Sequence, residues 1–252
     1  MNLVFVKLCY MRICKIDCSL SSLLFVENMR RKVIIFGITD LAEILYSYLF
    51  HSENYEVIAF CVDKEYLPKA KKFHNLPIYS YDQVKKIFSP NEYGIFICIG
   101  YKSMNKYREF CFKKVEKDGF EICSFVHPSA LVLARSKGYG NIIFPNVVID
   151  QLSEIGIGNV FYPCSVLSHH STVGNFNYFS VKSCICGHVS ITNNCFFGAN
   201  CTIKNGVKVS SYTFVGASTY INKDTSDNSF YAFNEREPKI LDISRIIYRV
   251  YA

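Results

Sequence analysis

The sequence lacks the features that mark several common classes of protein. It contains no G-x-G-x-x-G fingerprint, no C-x-x-C pair, and no apolar stretch long enough to span a membrane. Charged residues make up only 19% of the chain and hydrophobic residues 50%, a balance that argues against intrinsic disorder. We therefore expect a folded chain without a membrane span, built around substantial hydrophobic cores.

The twelve cysteines are scattered rather than grouped. Zinc sites and redox sites commonly use C-x-x-C pairs, and none is present here. This distribution favours reduced cysteines that pack in the interior, over disulfides or zinc ligands. We therefore predict a cytoplasmic protein with no metal site.

The net charge of +7 comes from lysines and arginines spread along the chain. Such a bias could indicate nucleic acid, but a polyphosphate cofactor or a nucleotide explains it equally well. Within residues 1–28, Lys7, Arg12 and Asp17 interrupt the apolar patches. We predict that this segment is a poorly ordered extension or reflects an upstream start codon, with the natural start at Met29.

A βαβαβα pattern follows Met29 and predicts a Rossmann-like, doubly wound α/β domain. Asp40 stands where the N-cap of the first helix is expected. The pattern places strands at residues 32–37, 55–62 and 93–99, and helices near residues 41–49, 81–88 and 105–118.

Ligands of doubly wound sheets bind at the carboxyl ends of the strands. The missing glycine fingerprint argues against a standard NAD site, whereas a carboxylate after the second strand suits the ribose or base of a mononucleotide. The alternative is that Gly37 makes a tight turn and Asp63 caps a loop. The candidate binding residues are Gly37, Thr39, Asp40, Asp63, Gly100 and Lys102.

A period of six residues dominates the C-terminal half. Neither a helix nor a single strand sustains this period, but a parallel β-helix does, with three hexapeptides in each 18-residue coil. Small residues recur two positions before each large apolar residue, so large and small positions keep a fixed phase. The large apolar positions are Ile143, Ile149, Ile155, Phe161, Leu167, Val173, Phe179, Ile185, Ile191, Phe197, Ile203, Val209, Val215 and Ile221.

Taken together, the segments KVIIFG, AFCVDKE, ICIGYKSMNKYRE and LSHHSTVGN resemble the hexapeptide-repeat sugar acyltransferases. The resemblance is to the group of sialic-acid O-acetyltransferases and bacillosamine-pathway N-acetyltransferases, and it covers residues 31–238. It implies a left-handed β-helix, a homotrimer, acetyl-CoA in the cleft between neighbouring β-helices, and a sugar nucleotide on the N-terminal domain.

The resemblance also implies the catalytic residues. The family's histidine motif matches residues 167–174 (LSHHSTVG), so His169 takes the role of general base. A glycine amide one coil later faces the thioester carbonyl in the family, and Gly187 stands 18 residues after His169. Gly187, Lys204 and Asn205 are the expected cofactor-binding residues.

One position departs from the family. Many relatives carry an acidic residue after the catalytic histidine, but His170 stands there in this chain. No Asp or Glu occurs from Ile155 to Lys223, so Asp150 and Glu154 are the nearest carboxylates in the preceding sequence that could orient His169. The same absence suits the phosphates of coenzyme A.

His170 and His188 are also 18 residues apart and should stack on successive coils. Two histidines alone give a metal ion few ligands, so we interpret both as outward-facing polar positions or as cofactor contacts.

We therefore predict four segments: the extension (1–28), a Rossmann-like nucleotide-sugar-binding domain (29–125), a left-handed β-helix acyltransferase domain (126–233) and a C-terminal segment with a short helix (234–252). The predicted activity is acetylation, with acetyl-CoA, of the amine of a nucleotide-linked amino-deoxy-sugar for surface glycan synthesis. O-acetylation of sialic acid or another surface sugar is the alternative. A non-catalytic scaffold that binds sugar nucleotides is a hypothesis of another class.

Overall fold

The computed structural model describes residues 30–232. The expected extension at residues 1–28 and the short helix expected from Asp242 to Tyr251 lie outside the described residues. From Arg31 onward, the described residues form one compact unit in which an α/β sheet precedes a parallel β-helix. Within residues 30–232, no helix has the length and apolar character needed to cross a membrane. The predicted fold class, a Rossmann-like sheet followed by a left-handed β-helix, is confirmed.

The sheet part combines parallel strands with helices and short connections. Its elements are β1 (Arg31–Phe36), α1 (Asp40–Phe50), β2 (Tyr55–Val62), a 3₁₀ turn (Lys64–Tyr66), β3 (Lys72–Phe73), β4 (Leu76–Ser80), α2 (Tyr81–Ile87), β5 (Gly94–Ile97), α3 (Lys106–Lys117) and β6 (Glu121–Ile122). The strand order is β3-β4-β2-β1-β5-β6. All neighbours pair in parallel except β3 and β4, which are antiparallel.

The sequence pattern located the central strands of this sheet but not its edges. The apolar run of β1 is fully buried from Val33 to Phe36, as expected for a strand with both faces covered. The edge strands β3 and β6 were missed because each has only two residues, and β4 was missed because its proline interrupts the apolar signal. The N-cap assignment of Asp40 was wrong: Thr39 caps α1, and Asp40 is its first residue.

The β-helix consists of two-residue strands on three faces. Strands 18 residues apart pair in parallel, for example Ile143 with Phe161 and Phe161 with Phe179. The first face contains Phe125–Val126, Ile142–Ile143, Val160–Phe161, Tyr178–Phe179, Phe196–Phe197, Phe214–Val215 and Phe230–Tyr231. The second face contains Leu131–Val132, Val148–Ile149, Val166–Leu167, Cys184–Ile185, Thr202–Ile203 and Tyr220–Ile221. The third face contains Ser136–Lys137, Glu154–Ile155, Thr172–Val173, Ser190–Ile191 and Lys208–Val209.

All fourteen period-six apolar positions are buried in one continuous core, as predicted. Along the first face, the rings of Phe161, Phe179 and Phe197 stack nearly parallel, with centroids 4.3 and 4.7 Å apart. Since each coil has the same shape, like side chains recur at the same place and interdigitate along the axis. The core is therefore a set of ladders rather than an irregular cluster.

A buried asparagine ladder joins four successive coils on the side that packs against the sheet. Asn141, Asn159 and Asn177 are fully buried. Each side-chain Oδ1 accepts from a backbone N–H one coil later, at 2.8 to 2.9 Å, and the last of these donors is Cys195. These bonds satisfy polar groups that would otherwise be costly to bury. The sequence carried this signal in asparagines 18 residues apart.

Helix α3 connects the sheet to the β-helix. Its Arg108 is almost fully buried and donates to the carbonyls of Phe176 and Asn177. Burial lowers the pKa of Arg108 to about 10. Apolar residues of the first face pack into the same cluster as β1 and α1. The sheet and the β-helix are thereby held together by a shared interior.

Candidate functional site

His169 and Gly187 occupy the same corner of successive coils. His169 follows the strand Val166–Leu167, and Gly187 follows the paired strand Cys184–Ile185. A Cβ atom built on Gly187 would lie 2.7 Å from Cε1 and 3.0 Å from Nε2 of His169. The imidazole therefore lies directly against the Gly187 backbone, and a larger residue at position 187 would displace the His169 ring.

The backbone at Gly187 presents a donor to this corner. Its carbonyl accepts from the Gly206 N–H at 3.0 Å, and the neighbouring His188 N–H donates to the His169 carbonyl at 3.0 Å. Within the described residues, the Gly187 N–H makes no hydrogen bond. The corner thus places a free amide donor beside an exposed imidazole, the pair that acyl transfer requires.

His170 contacts His169 through their ring nitrogens. The two Nδ1 atoms lie 3.0 Å apart, so one imidazole donates and the other accepts. The backbone of His170 is in the left-handed region with φ of 58°, which sets the direction of its side chain at the coil corner. His170 therefore occupies the place from which a neighbour can orient His169.

The two carboxylates considered from sequence interact with other groups. Asp150 accepts from the Gln151 N–H through Oδ1 at 2.7 Å. Glu154 faces Arg135, with 3.7 Å between Oε1 and Nε. Neither carboxylate is among the hydrogen-bond partners of His169 in residues 30–232. The direct neighbour of the imidazole is His170.

His170 and His188 stack as the spacing predicted. Their rings are 4.7 Å apart and inclined by 14°, and His169 meets His188 edge to face at 5.3 Å. All three histidines are exposed, and they offer ring nitrogens that lie within 4.8 Å of one another. The sequence identified the stack of two but not the group of three.

Asn205 extends the His169–Gly187 column by one further coil. Its Oδ1 lies 3.1 Å from the Cβ position of Gly187, and the side chain is exposed. Lys204, the preceding residue, is also exposed, and its backbone N–H donates to the Ile221 carbonyl. The other lysines of the carboxylate-free stretch, Lys182, Lys208 and Lys223, are exposed as well.

A second candidate site is a cavity of about 350 Å³ at the carboxyl edge of the sheet. It lies where the parallel strands β1, β2 and β5 end. Of the residues predicted to bind a nucleotide, five line it and Asp40 does not. The lining residues are Phe36, Gly37, Ile38, Thr39, Val62, Asp63, Tyr66, Ile99, Gly100, Lys102 and Tyr107.

Gly37 and Thr39 shape the floor of this cavity. Gly37 has φ of 133°, and a Cβ atom there would lie 2.3 Å from the Cys98 carbonyl oxygen. Thr39 donates from Oγ1 to the same carbonyl at 2.9 Å while it caps α1. The turn after β1 is therefore locked against the end of β5, and glycine is required there for steric reasons.

Asp63 lines the cavity, and each of its carboxylate oxygens accepts a hydrogen bond. Lys114 contacts Oδ1 at 2.5 Å, and the Tyr107 hydroxyl donates to Oδ2 at 2.8 Å. Burial and the Asp63 hydrogen bond raise the pKa of Tyr107 well above its usual value. Burial lowers the pKa of Lys114, but the bond to Asp63 outweighs it and the net shift is upward.

Sequence reasoning missed the two tyrosines of this cavity. Tyr66 and Tyr107 approach each other with ring centroids 5.6 Å apart. Tyr66 follows Asp63 by three residues in the turn after β2, and this proximity was a usable signal. Tyr107 belongs to α3, and nothing in its local sequence places it beside β2.

Comparison with known proteins identifies the fold. The family model described as C2185-like, N-terminal, matches residues 29–109. No curated protein sequence matches the chain. The acetyltransferase domain of PglB from Neisseria gonorrhoeae is similar in structure, with a TM-score of 0.70 and 19% identity over 80% of this chain and 96% of that one.

PerB from Caulobacter crescentus, solved with CoA and GDP-perosamine, also has a TM-score of 0.70, with 23% identity over 79% of this chain and 92% of that one. The PglB domain has been solved with acetyl coenzyme A. At these identities the likeness establishes architecture. The chain therefore has the fold of the hexapeptide-repeat sugar acetyltransferases.

Proposed function

We propose that the protein transfers an acetyl group from acetyl-CoA to the amine of a nucleotide-linked amino-deoxy-sugar. The observation that carries this proposal is the contact between the His169 imidazole and the backbone of Gly187. It places a base and an unengaged amide donor at one corner of the β-helix. Sugar acetyltransferases of the same fold, solved with acetyl-CoA or with CoA and a GDP-sugar, support the substrate classes.

In the proposed reaction, His169 removes a proton from the sugar amine as the nitrogen attacks the thioester carbonyl. The Gly187 N–H donates to the oxygen on which negative charge develops. Collapse of the tetrahedral intermediate forms the amide C–N bond and breaks the C–S bond. The proton held by His169 then passes to the CoA thiolate, so the imidazole returns to its neutral form.

His170 is proposed to orient the base. If Nδ1 of His169 carries the proton, Nδ1 of His170 accepts it across the 3.0 Å contact. This tautomer leaves Nε2 of His169 unprotonated, on the ring edge that lies against Gly187. A neutral histidine thus performs the positioning that an acidic residue performs in many relatives, without the additional negative charge.

The remaining assignments extend from the same column. We place acetyl-CoA in a cleft between β-helices of a homotrimer. It would lie along the coils that follow Gly187 in the sequence, beside Lys204 and Asn205. The absence of acidic residues from this stretch supports phosphate binding there. The nucleotide is placed in the cavity of the sheet, where Lys102 supplies a positive charge.

A cytoplasmic location is also part of this proposal. The cysteines of the described residues are free thiols, and most are buried. Burial raises the pKa of Cys195 and Cys201 to about 12, so both thiols stay protonated and inert in the β-helix core. Reduced cysteines suit a reducing compartment, which is also where acetyl-CoA and sugar nucleotides are available.

The direct test is release of CoA thiol from acetyl-CoA in the presence of UDP- or GDP-linked amino sugars, or of free sialic acid. We expect release with an amino sugar nucleotide and an amide product by mass spectrometry. His169→Ala should lower kcat by about 10²- to 10⁴-fold, the usual contribution of a general base, while acetyl-CoA still binds.

His51→Ala is the matched control, because His51 is exposed and lies on the sheet part. It should retain the wild-type rate. Unchanged turnover in His169→Ala would remove this residue from the mechanism. An ester product with sialic acid would instead establish O-acetylation, and the absence of thiol release with every acceptor would favour a non-catalytic scaffold.

A further inference from the structure

We propose that His169, His170 and His188 form a binding site for a divalent transition-metal ion of the zinc class, and that the bound ion blocks the base. The blocking effect rests on the proposed function, whereas the metal site stands on geometry alone. Each histidine offers one ring nitrogen, and the three nitrogens lie within 4.8 Å of one another.

The spacing of the nitrogens suits a shared ion. Two imidazoles bound to one tetrahedral Zn²⁺ at about 2.0–2.1 Å have nitrogens roughly 3.4 Å apart. The Nδ1 atoms of His169 and His170 are already 3.0 Å apart. His188 lies against both rings, and its ring nitrogen lies within 4.8 Å of the other two, so binding of a shared ion requires its exposed side chain to rotate towards them.

The backbone holds these side chains in place. His170 and His188 occupy equivalent corners of successive coils, and both have φ of 58°. The His188 N–H donates to the His169 carbonyl, which fixes the register between the coils. The ligands therefore come from a scaffold that is already formed, and binding does not require the chain to be ordered first.

The composition of the site selects the ion. Imidazole nitrogens suit Zn²⁺, Cu²⁺, Ni²⁺ and Co²⁺, whereas Mg²⁺ and Ca²⁺ require oxygen ligands. Within the described residues, neither Asp150 nor Glu154 adds a carboxylate oxygen to the group of three ring nitrogens, and each contacts another group. Three exposed imidazoles leave a fourth coordination position for water.

Metal binding and catalysis require the same lone pairs. An imidazole that ligates an ion through the nitrogen it would use as a base cannot accept a proton from the acceptor amine. If it ligates through Nδ1 instead, it loses the hydrogen bond with His170 that sets the tautomer. In either case the bound ion should inhibit the transferase reaction, because His169 can no longer act as the base.

The binding test uses metal-free protein without acetyl-CoA or sugar. Co²⁺ is titrated and followed by its visible absorption, and Zn²⁺ affinity is measured by competition with a chromophoric chelator. We expect one equivalent of either ion per chain. Since loss of an outer-sphere partner already weakens metal binding by about 10- to 100-fold, loss of a ligand should weaken it by at least about tenfold.

The informative variants are His170→Asn and His188→Asn. Asn194 and Asn200 adopt φ of 60° and 58° at the other two corners of the coil, so asparagine should preserve the backbone while removing the imidazole. His51→Asn is the matched control and should bind as the wild type does. The site is overturned if no saturable equivalent binds, or if both corner variants bind as tightly as His51→Asn.

The blocking effect is tested by thiol release in buffered Zn²⁺, with Mg²⁺ as the control ion. Inhibition by Zn²⁺ at the concentration that fills the site, and none by Mg²⁺, is the expected result. An active enzyme that turns over with Zn²⁺ bound would overturn the block. Binding without any transferase activity would instead contradict the proposed function and leave the metal site standing.

Discussion

The β-helix and the N-terminal sheet build their candidate sites in different ways. In the β-helix, His169, Gly187 and Asn205 are brought together by a spacing of 18 residues along one column. In the sheet, the cavity is assembled from strand ends and from α3, so that Tyr107 of α3 meets Asp63 after β2. One site follows from a repeating register, and the other from the way distant segments cross.

The difference also applies to packing. Each coil of the β-helix contacts the coil before it and the coil after it, so its stability is close to a sum of neighbour interactions. The sheet has its helices packed on two clusters, one of which includes residues of the first β-helix face. A substitution in the β-helix core should therefore destabilise mainly the adjacent coils, whereas a substitution in the core of the sheet should destabilise both the sheet and the β-helix.

The largest effect is expected from Phe179→Ala, which interrupts the stack of phenylalanine rings in the β-helix core. Phe179 is fully buried between Phe161 and Phe197, and a smaller side chain leaves a cavity that stacked coils cannot close. The free energy of unfolding should fall by about 3–5 kcal/mol in denaturant titrations.

Phe50→Ala is the matched control for this change, because Phe50 is 63% exposed at the end of α1. It should alter stability by no more than about 0.5 kcal/mol. Hydrogen exchange should show the loss of protection in Phe179→Ala concentrated in the adjacent coils. Equal loss throughout the sheet would contradict the idea that the β-helix responds locally.

A smaller effect is expected at the floor of the sheet cavity. Gly37→Ala forces a side chain onto a φ of 133° and places its Cβ against the Cys98 carbonyl, so it should destabilise by about 2 kcal/mol or more. Gly100→Ala is the matched control, because a Cβ there meets no atom within 4 Å.

Thermal unfolding of the two glycine variants, with nucleotide binding measured on each, separates the roles. A stable Gly37→Ala protein would show that the turn after β1 can move away from β5. That outcome would make the cavity far more adaptable than the β-helix corner.

The smallest effect concerns pH and the junction of the two parts. Partial burial raises the pKa of Glu109, but hydrogen bonds from Lys113 and Asn194 outweigh it and the net shift is downward. A lowered pKa stabilises the fold above the unfolded value of about 4.5, and this contribution disappears as pH falls through the folded pKa.

Glu109→Gln should therefore cost less than about 1 kcal/mol at neutral pH, and the difference from the wild type should vanish in acid. Unfolding midpoints at pH 7 and at several values below 4.5 check this sign. A variant that becomes relatively less stable in acid would contradict it.

The sequence predicted the β-helix to the level of single residues because its period is local and repeated. The position of Ile143 specifies that of Phe161, Phe179 and Phe197, and the same arithmetic places Gly187 beside His169. The sequence spacing did not show that His169 joins His170 and His188 in the proposed metal site. The edge-to-face contact of His169 with His188 depends on the direction of the side chains at the corner of the coil.

Prediction was less complete in the sheet for a physical reason. The buried runs of β1 and β2 were evident, but whether Thr39 or Asp40 caps α1 depends on one dihedral angle at the end of β1. Asp63 was located correctly at the cavity, yet its partners Lys114 and Tyr107 come from a helix more than forty residues away. Such pairings are decided by topology.

The 18-residue pairing makes chain length itself a chemical variable. His169 meets Gly187 only because one full turn of the solenoid separates them. An insertion or deletion of a few residues between the two would leave both groups intact and still part them, by rotating one to another side of the triangle. The contact between the His169 imidazole and the Gly187 backbone is therefore set by the number of residues between them.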